Sequence, residues 1–259
     1  MPSMAVYRPP PPLARFVDFL WESASYVRRH QTERVLPTGT IDLVIDLAPD
    51  NRNCGTVSGA RSTFFLLDTS RPREFIGARF KVGGAFGFFA PAGELRDLRI
   101  PLETLWGRAA VDLREHLAEV APGAARFALL ERFLLHRLDR DQQPHPAVRH
   151  ALLCLRRSHG SASIGGLADE CGLSRRRFIE VFRDQVGLTP KLFGRLRRFR
   201  RSLAAIGAAE EVDWADLAAA CGYSDQPHLI HDFRAFTGLT PSVYLRHRTT
   251  HVNHLREPG

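Results

Sequence analysis

The sequence predicts an α+β protein with a β-rich N-terminal half and an all-α C-terminal half. Up to about residue 108, short apolar segments alternate with turn-forming residues, as strands and turns do. From Ala109 onward, apolar residues recur at steps of three and four, which is the period of a helix. The C-terminal half also repeats itself at a spacing of fifty residues, so it holds a duplicated module.

Three strands are predicted most directly in the N-terminal half. Thr40–Leu47 and Phe75–Val82 alternate between apolar and polar positions, and Thr63–Leu67 is short and apolar. Turn formers such as the Gly83-Gly84 pair separate these segments. Short strands between such turns favour a barrel-like or sandwich-like sheet domain.

Helices are predicted to follow the sheet and to lead into a linker. Across Ala124–Leu138, apolar side chains form one stripe, which fits either a core-facing helix or a seam between two subunits. Residues 139–146, DRDQQPHP, are polar and contain two prolines, so the linker is placed there. The predicted domains are a β-rich domain with trailing helices at 1–140, a helical domain at 145–250 and a disordered tail at 251–259.

The positive charge is concentrated in the helical half. The 259 residues carry a formal net charge of +8, of which +2 lies in residues 1–143 and +6 in residues 144–259. Residues 175–201 alone contain ten basic and two acidic side chains. A solvated helix face is the ordinary explanation of a charge run, but this density favours contact with phosphate groups.

Composition and cysteine spacing exclude several classes of protein. No apolar segment has the roughly 18 to 20 residues that a membrane span needs, and the N-terminus lacks the apolar core of a signal peptide. Cys54, Cys154, Cys171 and Cys221 lie far apart, so neither a disulfide framework nor a cysteine-rich zinc site is predicted. A reducing cytoplasm is the expected location.

The internal repeat predicts two helix-turn-helix units. Residues 167–174, LADECGLS, return at 217–224 as LAAACGYS, and the GLTP of 187–190 returns at 238–241. Each copy reads as a helix, a tight turn and a second helix, which is the helix-turn-helix spacing.

Local signals support each part of this unit. Ser163 and Ser174 are predicted N-caps in the first copy, and Asp213 is the predicted cap in the second. Gly172 supplies the positive φ of the turn. Ala168 leaves only a methyl group where the two helices cross, so they can approach closely.

The second helix of each copy keeps polar side chains on its outer face. Arginine and glutamine can pair with purine edges in the major groove, and glutamate can accept a hydrogen bond from cytosine. DNA binding is therefore predicted, with a purely protein-binding module as the alternative. The outward residues are Arg175, Arg176, Arg177, Ile179, Glu180 and Arg183 in the first copy, and Asp225, Gln226, Pro227, His228, His231 and Arg234 in the second.

A long helix is predicted between the two units. Thr189 caps it, Pro190 takes its first position, and the composition stays helical to about Ala208. About 18 residues form a helix of roughly 27 Å. Two recognition helices separated in this way can enter successive major grooves, which lie about 34 Å apart.

Residues 145–248 resemble the C-terminal DNA-binding domain of the AraC/XylS family of bacterial transcription regulators, which joins two helix-turn-helix units by one long helix. The motifs that carry the resemblance are LADECGLSRRRFIEVFRDQVGLTP and LAAACGYSDQPHLIHDFRAFTGLTPSVYLR. By the family's pattern, the first unit reads bases with Arg176, Ile179 and Glu180, and the second with Gln226, Pro227, His228 and His231. Ile179 and Pro227 depart from that pattern towards apolar residues.

Other arginines around these helices are predicted to contact phosphates, which position a protein on the duplex without reading its sequence. This phosphate-contacting set is Arg175, Arg177, Arg183, Arg195, Arg197, Arg198, Arg201 and Arg234.

The N-terminal half also resembles a domain, an uncharacterised β-rich one found before such DNA-binding domains. The resemblance rests on Arg34–Gly39 with TIDLVIDL, on Gly77–Phe80, on Gly83–Ala85 and on Pro101–Gly107. The family resemblance implies double-stranded promoter DNA and RNA polymerase as partners. It also implies that the N-terminal domain binds a small effector, forms a homodimer, or does both. No cofactor, metal or membrane partner is expected.

An enzyme is the main alternative class. Some relatives of this architecture repair alkylated DNA with a four-cysteine zinc site in the N-terminal region, but that half of this chain contains only Cys54. Cys171 and Cys221 occupy apolar positions of the repeat and are predicted to be buried small hydrophobes. The glycine run at 83–87 lacks the spacing of a dinucleotide-binding loop. No catalytic residue is therefore predicted.

Two further hypotheses are less favoured by the sequence. The tail histidines His247, His251 and His254 can bind a metal weakly, but a frayed terminus is the expected structure. A ligand sensor that acts only through protein contacts is the remaining alternative to DNA binding.

Overall fold

Two antiparallel sheets organise the N-terminal half. The computed structural model describes residues 4–26, 32–49, 53–70, 73–89, 91–139, 143–207, 211–249 and 253–256. The larger sheet has the strand order β1-β2-β7-β4-β5-β8 and the smaller one β6-β3-β9. The strands are β1 Met4–Tyr7, β2 Val17–Tyr26, β3 Thr32–Val35, β4 Asp42–Asp46, β5 Thr56–Ser58, β6 Phe65–Asp68, β7 Arg73–Phe80, β8 Arg99–Pro101 and β9 His254–Arg256.

The three predicted strands correspond to β4, β6 and β7, with ends shifted by up to two residues. Leu43 and Ile45 on β4 and Ile76 and Phe80 on β7 are fully buried, because alternate side chains of both strands face the core. The backbone N–H of Lys81 still donates to the carbonyl of Phe16 beside β2, and the predicted turn at Gly83-Gly84 follows.

In the described range 91–139, three α-helices follow the strands of the sheet, as the change of period predicts. They are α1 Leu102–Trp106, α2 Arg108–Glu119 and α3 Ala124–Arg137. On α3, Phe127, Leu130 and Leu134 are buried within this one chain, and the Phe127 ring stacks on Tyr7 with centroids 5.6 Å apart. The apolar stripe therefore packs as core.

Over its described residues, the C-terminal half contains seven helices. Their order is α4 Pro146–Arg157, α5 Ile164–Glu170, α6 Arg175–Val186, α7 Pro190–Ile206, α8 Trp214–Ala220, α9 Gln226–Thr237 and α10 Pro241–His247. The predicted long helix is α7, whose 17 residues end at Gly207 with a positive φ of 44°. Within the part of the chain that the structure describes, no helix has the length and apolarity to cross a bilayer.

The tail departs from the expectation of disorder over 251–259. Its residues His254–Arg256 form β9, which pairs antiparallel with β3 and buries Leu255 completely. His254 Nδ1 lies 2.9 Å from the Glu33 carboxylate. The prediction of a frayed end is wrong for these residues because the edge of β3 supplies the hydrogen bonds that a free terminus lacks. Residues 251, 252 and 257–259 lie outside the described residues.

The two halves pack on each other through one continuous hydrophobic core. Of the predicted linker at 139–146, Asp139 donates its backbone N–H to the carbonyl of Gly87, and α4 already begins at Pro146. Residues 140–142 lie outside the described residues. The N-terminal domain is therefore in direct contact with the helices that carry the candidate site.

Candidate nucleic-acid interface

The first helix-turn-helix unit consists of α5 and α6. The Ser163 hydroxyl accepts from the backbone N–H of Gly166 at 3.3 Å, and the Ser174 hydroxyl accepts from that of Arg177 at 3.2 Å. Between the helices, Gly172 has a φ of +64°. Both predicted caps and the predicted turn residue are confirmed.

A small residue sits at the crossing of the two helices in each unit. Ala168 on α5 is fully buried and Ala218 on α8 is 1% exposed. Each also accepts the same turn hydrogen bond, from the backbone N–H of Leu173 in the first unit and of Tyr223 in the second, at 3.0 Å in both. The sequence repeat is thus a repeat of backbone geometry, with α6 and α9 as the outer helices.

The outer face of α6 is strongly basic. Arg175, Arg176 and Arg177 follow the N-cap and are exposed, with 90% of the Arg176 side chain accessible to solvent. Ile179 and Glu180, in the next turn, are half-buried. The predicted base-reading residues of the first unit therefore share one accessible surface.

Arg176 and Glu180 are paired in the free protein. Arg176 Nε donates to Glu180 Oε1 at 3.0 Å, and the Arg177 guanidinium lies 3.8 Å from Oε2. The hydrogen bond from Arg176, together with the nearby charges of Arg177 and Arg183, lowers the pKa of Glu180. Glu180 is consequently a carboxylate at neutral pH and can accept a hydrogen bond.

The outer face of α9 is polar rather than strongly basic. Gln226, Pro227, His231 and Arg234 are exposed. Asp225, which the sequence placed on the outward face, is exposed and is also the N-cap, since its Oδ1 accepts from the backbone N–H of His228 at 2.7 Å.

His228 is the least exposed of the predicted base-reading residues on α9. Its ring meets the ring of Tyr223 edge-on at a centroid distance of 5.1 Å, and its Nδ1 lies 3.1 Å from the Ser224 hydroxyl. These contacts hold the imidazole in one orientation beside the turn of the second unit.

A cleft of about 690 Å³ lies between the two units. Side chains of α6, α7 and α9 line it together, so both outer helices border the same side of the molecule. Its charged and titratable lining residues are Arg175, Lys191, Arg195, Arg198, His228, His231 and Asp232.

Two arginines of α7 already have partners inside the protein. Arg195 Nε and Nη2 both donate to Oδ1 of Asp232, at 3.0 and 2.7 Å, and Asp232 is fully buried. Arg198 Nη1 donates to the carbonyl of Gly160 at 2.9 Å, and its guanidinium lies 5.5 Å from the centroid of the Tyr223 ring. These contacts hold the helices together, and the phosphate role of Arg195 and Arg198 stays a prediction.

The other arginines of α7 differ in exposure. Arg201 is exposed, whereas Arg197 is half-buried and its pKa is lowered by burial and by the nearby charge of Arg156. Arg200, which belongs to no predicted contact set, contacts the side chain of Asn253, and burial followed by the charge of Arg79 lowers its pKa to about 10.

The remaining predicted phosphate contacts lie on the outer helices. Arg183 is about half exposed and pairs with Asp184 at 3.1 Å, beside the short 3-10 segment Ala92–Leu95 of the N-terminal half. The cleft also includes Lys191, which the sequence placed in the basic run but not among the site residues. Lys191 could have been assigned to the site from its position directly after Pro190, in the first turn of the predicted long helix.

The cysteines outside α4 and α5 have no surroundings that would activate a thiolate. Cys54 and Cys221 are buried. Burial and a hydrogen-bonded contact with Glu103 raise the pKa of Cys54 to about 11. Cys221 is a buried small hydrophobe as predicted, but Cys171 is only partly buried, since it lies at the end of α5.

The fold and the site define a DNA-binding protein with two helix-turn-helix units. A family model described as "Helix-turn-helix domain" matches residues 167–247, and one described as "Domain of unknown function (DUF6597)" matches residues 5–101. The chain is a transcription regulator with an AraC-type helix-turn-helix DNA-binding domain. The predicted uncharacterised N-terminal domain is confirmed by the second match.

Two solved structures resemble the chain at low identity. ToxT from Vibrio cholerae is 12% identical, with a TM-score of 0.41, over 95% of this chain and 98% of ToxT. The C-terminal domain of AraT, a response regulator from Geobacillus stearothermophilus, is 18% identical, with a TM-score of 0.37, over 40% of this chain and 88% of that domain. A search of curated proteins found no match.

Proposed function

We propose that the protein binds a specific site in double-stranded DNA by placing α6 and α9 in successive major grooves on one face of the duplex. The observation that carries the proposal is the shared cleft, because both outer helices border it. The 17 residues of α7 make a rigid spacer of roughly 25 Å between the units.

Each outer helix has a distinct task in this proposal. Arg176 and Glu180 on α6 and Gln226 and His231 on α9 read base edges. His228 contributes through its outer edge, since Tyr223 and Ser224 hold its ring. Ile179 and Pro227 contact thymine methyl groups or no base.

Phosphate contacts come from the accessible cations around these helices. Arg175, Arg177, Arg201 and Arg234 are exposed, and Lys191 joins them from the cleft. Arg183 and Arg197 contribute less, because one is paired with Asp184 and the other is half-buried. RNA polymerase is the further partner that a promoter-bound regulator of this kind contacts.

We further infer that the N-terminal domain regulates binding through the C-terminal ends of both outer helices. α6 ends at Gly187, beside Ala60 and Ala92, and α9 ends at Gly238, beside Arg34 and Phe64. Gly187 and Gly238 are the first residues of the two repeated GLTP segments. The N-terminal domain therefore contacts both helix-turn-helix units at equivalent positions.

One of these contacts is buried and polar. Arg34 donates from Nη1 to the carbonyl of Thr237, the last residue of α9, while its guanidinium lies 4.0 Å from the centroid of the Phe64 ring. A small effector or a second copy that shifts the N-terminal domain would therefore move the ends of α6 and α9. Sedimentation velocity of the full chain over a range of concentrations tests the homodimer, and a single concentration-independent monomer would contradict it.

DNA binding is tested by fluorescence-anisotropy titration of the full chain with labelled promoter DNA and with random duplex of equal length. Each titration is done at two salt concentrations. The proposal expects promoter DNA to bind at least about a thousandfold more tightly than random DNA. It also expects affinity for both to fall steeply with salt, because bound arginines displace counterions. Equal affinity for both duplexes, or affinity that does not change with salt, would refute it.

A further inference from the structure

Three side chains with metal-binding atoms meet where α4 lies beside the end of α5. His150 Nε2 lies 2.7 Å from Glu170 Oε2 and 3.5 Å from Cys154 Sγ, and all three ligand atoms lie within 4.8 Å of one another. Nothing in the DNA-binding function uses them. They belong to two helices, His150 and Cys154 to α4 and Glu170 to the last position of α5.

The helices hold these groups without strain. His150 and Cys154 are four residues apart, so their side chains lie one above the other on one face of α4. Ala151 and Leu155, about 100° around the helix from these two residues, are fully buried and anchor α4. The ligand atoms are therefore carried on rigid backbone while remaining open to solvent.

The two ligand separations that involve His150 can be compared with those around a tetrahedral zinc ion. With metal–ligand distances of about 2.0–2.3 Å, two ligand atoms around Zn²⁺ lie roughly 3.3–3.7 Å apart. The Cys154–His150 separation of 3.5 Å already matches. The hydrogen-bonded His150–Glu170 pair has to widen by about half an ångström, which the 43% and 59% exposure of these side chains permits.

We propose that His150, Cys154 and Glu170 bind one zinc-like transition-metal ion, with water as the fourth ligand. A thiolate, an imidazole and a carboxylate form a donor set that zinc accepts. A shallow pocket of about 270 Å³ borders Cys154 and Glu170 and leaves room for the water.

Comparison with the second helix-turn-helix unit shows that the carboxylate of the metal-ligand cluster is not needed for helix packing. Ala220 stands in the second unit at the position of Glu170, and that unit still forms the same turn. The carboxylate is thus not required by the helix-turn-helix fold. Cys154 packs against the core, but an exposed His–Glu pair contributes little to stability, so neither packing nor pairing explains why all three ligand types meet here.

A bound ion would tie α4 to the end of α5 and brace the first unit. No proposed DNA-reading residue takes part, so metal binding and DNA binding can fail independently.

The test is a titration of the reduced full chain with Co²⁺, followed by competition with Zn²⁺. We expect one equivalent to bind with a thiolate-to-cobalt charge-transfer band, which Zn²⁺ abolishes. Cys154→Ser should remove the band, and His150→Ala and Glu170→Ala should each weaken binding by more than about tenfold. At a hundredfold excess over its Kd, Zn²⁺ should raise the Tm by roughly 5–10 °C.

Matched controls keep the result interpretable. His116→Ala and Glu119→Ala remove the same side chains from exposed positions of α2 and should leave metal binding unchanged. Glu170→Ala copies the alanine that the second unit tolerates, so it is expected to fold even if Cys154→Ser does not. Absence of the charge-transfer band, its survival in Cys154→Ser, or loss of binding only when His247 and His251 are both replaced by alanine would overturn the proposal.

Discussion

At the scale of single residues, arginines that are exposed and arginines that have internal partners should respond differently to substitution. Arg176→Ala is expected to weaken binding to the specific site by about 1–3 kcal/mol, because one base contact is lost, while binding to random DNA changes little.

Arg201→Ala should weaken binding to both duplexes alike and reduce the slope of log affinity against log salt concentration by about one. Anisotropy titrations on the two duplexes measure both effects, and a uniform loss for Arg176→Ala would contradict its assigned role.

Arg195 provides the contrasting case. Arg195→Ala leaves the fully buried Asp232 carboxylate without its ion-pair partner. Since Arg195 is itself 28% exposed, the free energy of unfolding is expected to fall by about 3 kcal/mol, the lower end of the range for a broken buried pair. Urea denaturation measures this loss. Arg201→Ala is the exposed control, and its free energy of unfolding is expected to stay within about 0.5 kcal/mol of that of the unsubstituted protein. Equal stabilities of the two variants would show that Arg195 has no structural role.

At the scale of the element, the close crossing of α5 and α6 depends on the size of one side chain. Ala168→Leu is expected to destabilise the protein by about 1–3 kcal/mol, because three extra carbon atoms must fit where there is no space. Ala204→Leu adds the same atoms at an exposed position of α7 and should change stability by less than about 0.5 kcal/mol. Similar denaturation midpoints for both variants would mean that the crossing can relax.

The same element shows why part of this structure was predictable. Caps, turn glycine and crossing alanine of a helix-turn-helix unit all lie within about a dozen residues, and the second copy confirms the pattern. Pairings between distant positions leave no such local signal. Arg195 and Asp232 are 37 residues apart. From the sequence alone, their buried ion pair looks the same as an arginine and an aspartate that are each exposed to solvent. The strand β9 was missed for the same reason, since its partner β3 lies at the other end of the chain.

At the scale of the whole molecule, the contact between domains can be measured with two glycines. Gly172 and Gly238 both have positive φ, but a methyl group at Gly172 would meet nothing within 4 Å, whereas one at Gly238 would lie 2.7 Å from the Phe64 ring. Gly172→Ala should therefore cost about 1 kcal/mol of backbone strain. Gly238→Ala should cost about 2–3 kcal/mol, because the N-terminal domain must also move. Urea denaturation compares them, and equal losses would mean that the domains are not firmly docked at α9.

The position of β3 between β6 and β9 has a consequence for how the chain is made. His254 pairs with Glu33 across 221 positions, so a ribosome has to synthesise the whole DNA-binding domain before the last strand of the smaller sheet exists. Until then, the nascent chain presents one bare edge of β3, which is the kind of edge that invites pairing with a neighbouring polypeptide. Closure of this sheet is expected to be a late and slow event in folding, because such distant contacts carry a large entropic cost. Chaperone dependence during synthesis should consequently centre on residues 32–35.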